Sequence, residues 1–128
     1  MATRPPALKL KVQIMCGEEI AMGPGKADLL EAIVREGSIS GAGRAMGMSY
    51  RRAWLLVDAM NRCWAEPLVR AGPGRAGRDG SGGARLTALG EEVLGHYRAL
   101  QAAVADGAAP GWRELQPLLL AEPKPAKH

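Results

Sequence analysis

The sequence predicts an α+β fold, mainly α: a winged helix-turn-helix with an N-terminal strand or hairpin and a long C-terminal dimerisation helix. Three observations carry this expectation. Residues 37–61, GSISGAGRAMGMSYRRAWLLVDAMN, hold two short helical patterns joined by a tight turn. A glycine-rich basic segment, GPGRAGRDGSGG at 72–83, separates two short β-like runs. A long apolar stripe at helical spacing then begins at Leu89.

Leu8 to Met15 alternates, with Leu8, Leu10, Val12 and Ile14 on one face and Lys9, Lys11 and Gln13 on the other. A period of two predicts a half-buried strand. Cys16-Gly17-Glu18 is a turn, and Glu19 to Met22 returns as a second short strand. Gly23-Pro24-Gly25 breaks the chain. From Lys26 the spacing changes to Leu29, Leu30, Ile33 and Val34, an apolar helical face that ends near Gly37.

The second helix is expected over Ile39–Met46 and the third from Tyr50 to about Cys63. Ser38 and Ser49 stand where a hydroxyl caps the first free N–H groups, and Gly47 supplies the positive φ that closes the second helix. Tyr50, Arg51 and Arg52 then ride the leading turn of the third helix, the end that enters the DNA major groove in a helix-turn-helix. Ala53, Leu56, Val57, Met60 and Trp64 should face the core, leaving Arg51, Arg52, Leu55, Asp58 and Arg62 towards solvent or DNA. Trp54 has two readings, stacking on a base or sugar and packing inside. One turn into a three-helix domain, it is assigned to the core.

Pro67 to Arg70 and Ala84 to Thr87 read as the strands of a wing. The segment between them holds six of the chain's seventeen glycines. Bare glycine backbone approaches phosphate closely, and Arg75 and Arg78 bring charge to it. An inert loop is the alternative. A nucleotide-cradling loop is disfavoured, because no GK[ST] follows and no strand-to-helix context surrounds it. Thr87 caps the last long helix, expected from Ala88 to about Ala105, with Leu89, Val93, Tyr97, Leu100 and Val104 as its stripe. That length exceeds what one winged domain needs, so dimerisation through the stripe is expected. Ala108-Ala109-Pro110-Gly111 should end the helix. A short helix over Trp112–Leu120 and a tail, AEPKPAKH, should follow. The expected organisation is one winged helix-turn-helix domain for DNA binding and dimerisation over 1–107, with a short helix and a disordered tail over 108–128.

At 128 residues and 47% hydrophobic composition the chain has room for one modest core. With no Phe, that core must come from Leu, Ala, Val, Met and the three Trp. Net charge is +4, and it is unevenly placed. Nine arginines and no lysine lie between Arg35 and Arg85, against Glu36, Asp58, Glu66 and Asp79. Arginine is the better fork for phosphate and guanine edges, so the clustering points to nucleic acid. Cys16 and Cys63 form no CxxC and have no neighbouring His, which predicts two reduced thiols and neither a disulfide nor a metal site. Lys9 and Lys11 interrupt any signal-peptide core, and no apolar run reaches the roughly 20 residues of a membrane span. A cytoplasmic protein is expected.

GSIS at 37–40, the SY-x-x-AW step at Ser49–Trp54, Met60-Asn61, Leu68-Val69, the glycine-rich wing and Leu86-Thr87-x-x-Gly90 occur in one ordered set. From about Leu8 to Leu100 the chain resembles the N-terminal DNA-binding domain of the ModE family, the molybdate-responsive transcription regulators of bacteria. The resemblance implies a winged helix-turn-helix in a homodimer, with the long last helix and the N-terminal strand in the interface. It carries DNA recognition to Ser49, Tyr50, Arg51 and Arg52, and backbone contact to Arg75 and Arg78. Family members continue into oxyanion-binding β-barrels, whereas no strand-rich segment follows residue 110 here. No molybdate ligand therefore transfers to any residue. Gly43 also departs from the usual Ala, at a propensity cost of about 1 kcal/mol.

A DNA-binding regulator acting on an inverted-repeat operator is thus the leading expectation, with double-stranded DNA and a second copy of the chain as partners. A winged-helix adaptor that meets protein is the alternative. An enzyme is not expected, because His96, His128, the cysteines and the carboxylates form no nucleophile–base or metal set. No cofactor is expected either. Direct oxyanion binding in a dimer cleft is a lesser alternative, and the effector is left open.

Overall fold

A computed structural model describes residues 5–72 and 82–127. The described elements are β1 (Ile14–Cys16), β2 (Glu19–Met22), α1 (Pro24–Glu36), α2 (Ile39–Ala45), α3 (Tyr50–Cys63), β3 (Val69–Ala71), β4 (Ala84–Leu86), α4 (Ala88–Leu115) and a 3-10 turn at Gln116–Leu118. Two antiparallel hairpins, β1–β2 and β3–β4, flank the helices. This is the winged architecture the sequence predicts.

The N-terminal strand is shorter than its alternation suggests. Its partner β2 is only four residues long, so pairing covers Ile14 to Cys16, with an irregularity between Ile14 and Met15. Val12 and Ile14 are half-buried, while Leu8 and Leu10 are 43% and 41% exposed. The hairpin is pinned to the helices from several sides. The Trp64 indole donates to the Ala21 carbonyl at 3.1 Å, and Arg62 pairs with Glu19 at 2.9 Å. Cys16 and Cys63, distant in sequence, are brought together there as free thiols. The Cys63 thiol is pushed up by burial and by its hydrogen bond to Cys16.

Pro24 does not break the chain but opens α1, where its missing N–H is no loss. Leu29, Leu30, Ala32 and Ile33 line the buried side of α1, and Gly37 closes it in the left-handed conformation at φ 76°. Around α1 the core gathers Met22, Ala53, Val57, Met60, Leu68, Leu86, Val93 and Tyr97. Each large apolar side chain sequestered here contributes about 1.5–3 kcal/mol. The tryptophans do not fill the core as expected: Trp64 and Trp112 are half-buried and Trp54 is exposed.

Asn61 joins α3 to the wing. Its Oδ1 accepts from the amides of Leu68 (2.9 Å) and Val69 (3.1 Å), and its Nδ2 donates to the Val69 carbonyl at 3.1 Å. Thr87 caps α4 by accepting from the Gly90 amide at 2.9 Å while donating to the Pro67 carbonyl at 2.7 Å. Helix α4 packs on the domain through Gly90, Val93 and Tyr97, its only buried positions. The Tyr97 hydroxyl donates to the Val12 carbonyl at 2.7 Å. On the flank of α1, Arg98 pairs with Asp28 at 2.7 Å and with Glu31 at 2.8 Å.

Beyond Tyr97 the helix differs from expectation. It does not stop near Ala105 but runs through Pro110 to Leu115. Alanines at 102, 103, 105, 108 and 109 supply the strongest helix propensity available to offset the proline.

Candidate nucleic-acid interface

Two short helices set the site. Ser38 caps α2 through the Gly41 amide at 3.0 Å, and Ser49 caps α3 through the Arg52 amide at 3.1 Å. Between them Gly47 takes φ 70°, a conformation that a side chain would strain. At the crossing, a Cβ on Gly43 would come within 3.1 Å of the Ala53 Cβ, so the glycine lets α2 and α3 approach closely. These local choices orient α3, with Ala53, Val57 and Met60 buried and the opposite face presented outwards.

That outward face is aromatic and basic. Tyr50 is 56% exposed, Trp54 46% and Leu55 50%, and with Arg51 they line a shallow cavity of about 280 Å³. The assignment of Trp54 to the core is therefore corrected. Trp54 follows the buried Ala53 by one residue, which turns it roughly 100° off the buried stripe, and it shares its face with Tyr50 one turn earlier. That spacing is legible in the sequence and here prevails over the general preference of Trp for interiors.

The wing adjoins this face. A second cavity of about 160 Å³ lies between Tyr50, Trp54, Ile39 and Ser40 on one side and Ala71 and Gly82–Ala84 on the other. The hairpin base closes through the Gly72 amide on the Gly83 carbonyl at 2.7 Å. Arg70 and Arg85 are cross-strand partners, both exposed. Like charges directly opposite each other disfavour the sheet unless an anion lies against them. The sequence shows these two arginines but not their pairing, because a cross-strand partner is set by register. Arg75 and Arg78 lie outside the described residues.

The consecutive arginines of α3 serve different surfaces. Arg51 lines the aromatic cavity. Arg52 lines another cavity of about 240 Å³, on the flank facing the start of α1, together with Lys11, Gln13, Gly25 and Lys26. Lys26 is pushed below the usual lysine range, first by burial and also by Arg52, with Glu19 pulling the other way. Arg62 is not available to a ligand in the same way. It is held by Glu19 at 2.9 Å and Asp58 at 3.0 Å, and both hydrogen bonds raise its pKa.

The expected dimer stripe divides. Val93 and Tyr97 are buried in this chain's own core, Leu89 and Val104 are half-buried, and Leu100 is 41% exposed. A small, almost wholly apolar hollow of about 150 Å³ lies among Leu100, Ile14, Trp64, Val93, His96 and Tyr97. Among the described residues, no group of three or more His, Cys, Asp or Glu stands where it could hold a metal ion. No described helix is long and apolar enough to cross a membrane.

No protein-family model matches the chain. Over 84 residues, 66% of its length, it is 50% identical to the molybdenum-pterin-binding protein MopB of Rhodobacter capsulatus. It is 33% identical over 90 residues, 70% of its length, to the DNA-binding transcriptional dual regulator ModE of Escherichia coli K12. The chain spans about 30% of the length of the first relative and 32% of the second. Among solved structures it is similar to the full-length LysR-type regulator LysG of Corynebacterium glutamicum with bound effector Arg. The TM-score is 0.51 at 26% identity, covering 73% of this chain and 29% of that one.

Proposed function

We propose that this chain, which carries a ModE-like N-terminal DNA-binding domain, acts as a sequence-specific transcriptional regulator linked to molybdenum metabolism. The observation that carries the reading is the shared surface of α3 and the wing. Ser49 starts a helix whose outward face sets Tyr50 and Trp54 against the hairpin base with Arg51 beside them, and the Arg70–Arg85 pair lies on that hairpin. Bidentate arginine on guanine and apolar contact with the thymine methyl are the two ways such a face reads a major groove. Arg75 and Arg78 are assigned to phosphate contact beside it. The assigned partner is double-stranded DNA, and the assigned compartment is the cytoplasm.

The functional unit we propose is a homodimer. Leu8, Leu10 and Leu100 are exposed apolar residues on the N-terminal segment and α4, the last beside an apolar hollow. Helix α4 continues well past its last buried residue, Tyr97. A two-fold arrangement through these elements sets two recognition helices about one DNA turn, roughly 34 Å, or a small multiple apart, so the operator is an inverted repeat. Selecting bound duplexes from a random-sequence library tests this directly. An enriched inverted repeat supports the reading, and no enrichment rejects it.

The adaptor reading has one observation in its favour, the exposed apolar trio Tyr50, Trp54 and Leu55. It predicts that binding to the selected duplex is weak and that a protein competes for α3.

A further inference from the structure

The flank of α3 that holds Arg52 carries a second kind of site. Lys11 from the N-terminal segment, Lys26 from α1 and Arg52 from α3 converge on one cavity of about 240 Å³, and no Asp or Glu lines it. Water takes about 30 Å³ per molecule in the liquid, so the space is ample for a small solvated anion. Among the described residues none of the three cations has an ion-pair partner. The acidic groups that act on Lys26 are Glu19, whose carboxylate is held by Arg62 at 2.9 Å, and after it Cys63. Besides burial, Arg52 helps to push the Lys26 amine below the usual lysine range, and an anion seated between the two relieves that repulsion.

The backbone around the cavity is equally unsatisfied. Helix α1 has thirteen residues, its cap residue Gly23 offers no side-chain cap, and Pro24 has no N–H. The first intrahelical amide to find a carbonyl is that of Ala27, on Gly23 at 2.9 Å. The amides of Gly25 and Lys26 therefore lie in the uncapped first turn, where the helix end favours negative charge. A Cβ built on Gly25 would meet nothing within 4 Å, so an oxyanion has a clear approach.

We propose that this cavity is an oxyanion site that seats a phosphate group, with Lys11, Lys26 and Arg52 as its cationic ligands and the first turn of α1 closing it. The group is a backbone phosphodiester of bound DNA or a free phosphate-like ion. The first source rests on the DNA-binding reading above; the second does not.

The test has two arms on the full chain. In the first, Lys11→Ala and Lys26→Met are titrated with salt on the selected duplex, with Arg113→Ala on the distal part of α4 as a control of equal charge change. Losing one phosphate contact lowers the slope of log affinity against log salt by about 0.9 per protomer. Lys26→Met keeps the apolar stem, and a melting curve for each variant confirms folding. In the second arm, inorganic phosphate is added without DNA while the amide signals of Gly25 and Lys26 are followed by NMR.

A lowered slope in both variants but not in the control assigns a DNA phosphate. Millimolar phosphate shifting those amides in wild type but not in Lys26→Met assigns a free oxyanion. Slopes matching the control, with no amide response to phosphate, overturn the site. If wild type binds no duplex at all, the DNA-binding reading fails and the phosphate arm alone decides the site.

Discussion

Arg51 and Arg52 are consecutive in the chain and face different surfaces, Arg51 towards the aromatic cavity it shares with Tyr50 and Trp54, Arg52 towards the basic cavity at the start of α1. One residue along a helix turns a side chain by about 100°, so two neighbouring arginines on a recognition helix are not a redundant pair. The expected consequence is a division of labour. Arg51→Ala should alter which base is preferred, at about 1–3 kcal/mol of discrimination, whereas Arg52→Ala should weaken all sequences alike. Competition binding against a panel of single-base operator variants separates the two.

Trp54 should matter for binding and little for stability. It is 46% exposed, so truncation leaves no cavity in the core. Trp54→Ala should bind the selected duplex roughly tenfold more weakly, about 1.4 kcal/mol, while stability shifts by no more than about 0.5 kcal/mol. Parallel denaturation and binding curves check both halves of this expectation.

Two glycines should respond differently to the same change. A Cβ on Gly90 would run into the Leu68 backbone carbonyl, and neither that carbon nor the carbonyl has a rotamer to relieve the clash. Gly90→Ala should cost about 2 kcal/mol or more, because α4 must move off the wing. On Gly43 the added methyl meets the Ala53 Cβ at 3.1 Å, a tight contact between side chains. The gain of about 1 kcal/mol in helix propensity offsets it, so Gly43→Ala should be near neutral. Urea midpoints of the two variants give the comparison.

Leu100→Glu should separate assembly from folding. Leu100 is 41% exposed in the single chain, whereas Val93 and Tyr97 on the same stripe belong to its core. The variant should keep its melting behaviour as a monomer, lose the dimer in light scattering at micromolar concentration, and bind the inverted repeat weakly. A wild-type monomer would contradict the dimer assignment.

The parts of this fold that were legible in the sequence are those fixed by local chemistry. Ser38, Ser49 and Thr87 each cap the helix that follows, and Gly47 takes the left-handed turn expected of it. The parts that depart from the sequence pattern depend on partners elsewhere in the chain. The alternation from Leu8 implied a strand as long as its pattern, but a strand lasts only as long as its partner, and β2 is short. Pro110 reads as a stop in the sequence, although the surrounding alanines carry α4 through it. Of the candidate site, the leading turn of α3 could be read directly, while the exposure of Trp54 and the pairing of Arg70 with Arg85 needed helix orientation and strand register.

The most direct test of the account is a salt titration of the full chain on its selected inverted repeat and on a scrambled duplex of equal length. A basic recognition face that displaces counterions predicts a log–log slope of several units, about −0.9 for each phosphate neutralised, and a clear preference for the repeat at every salt concentration. A flat affinity, or equal binding to the scrambled duplex, would contradict it.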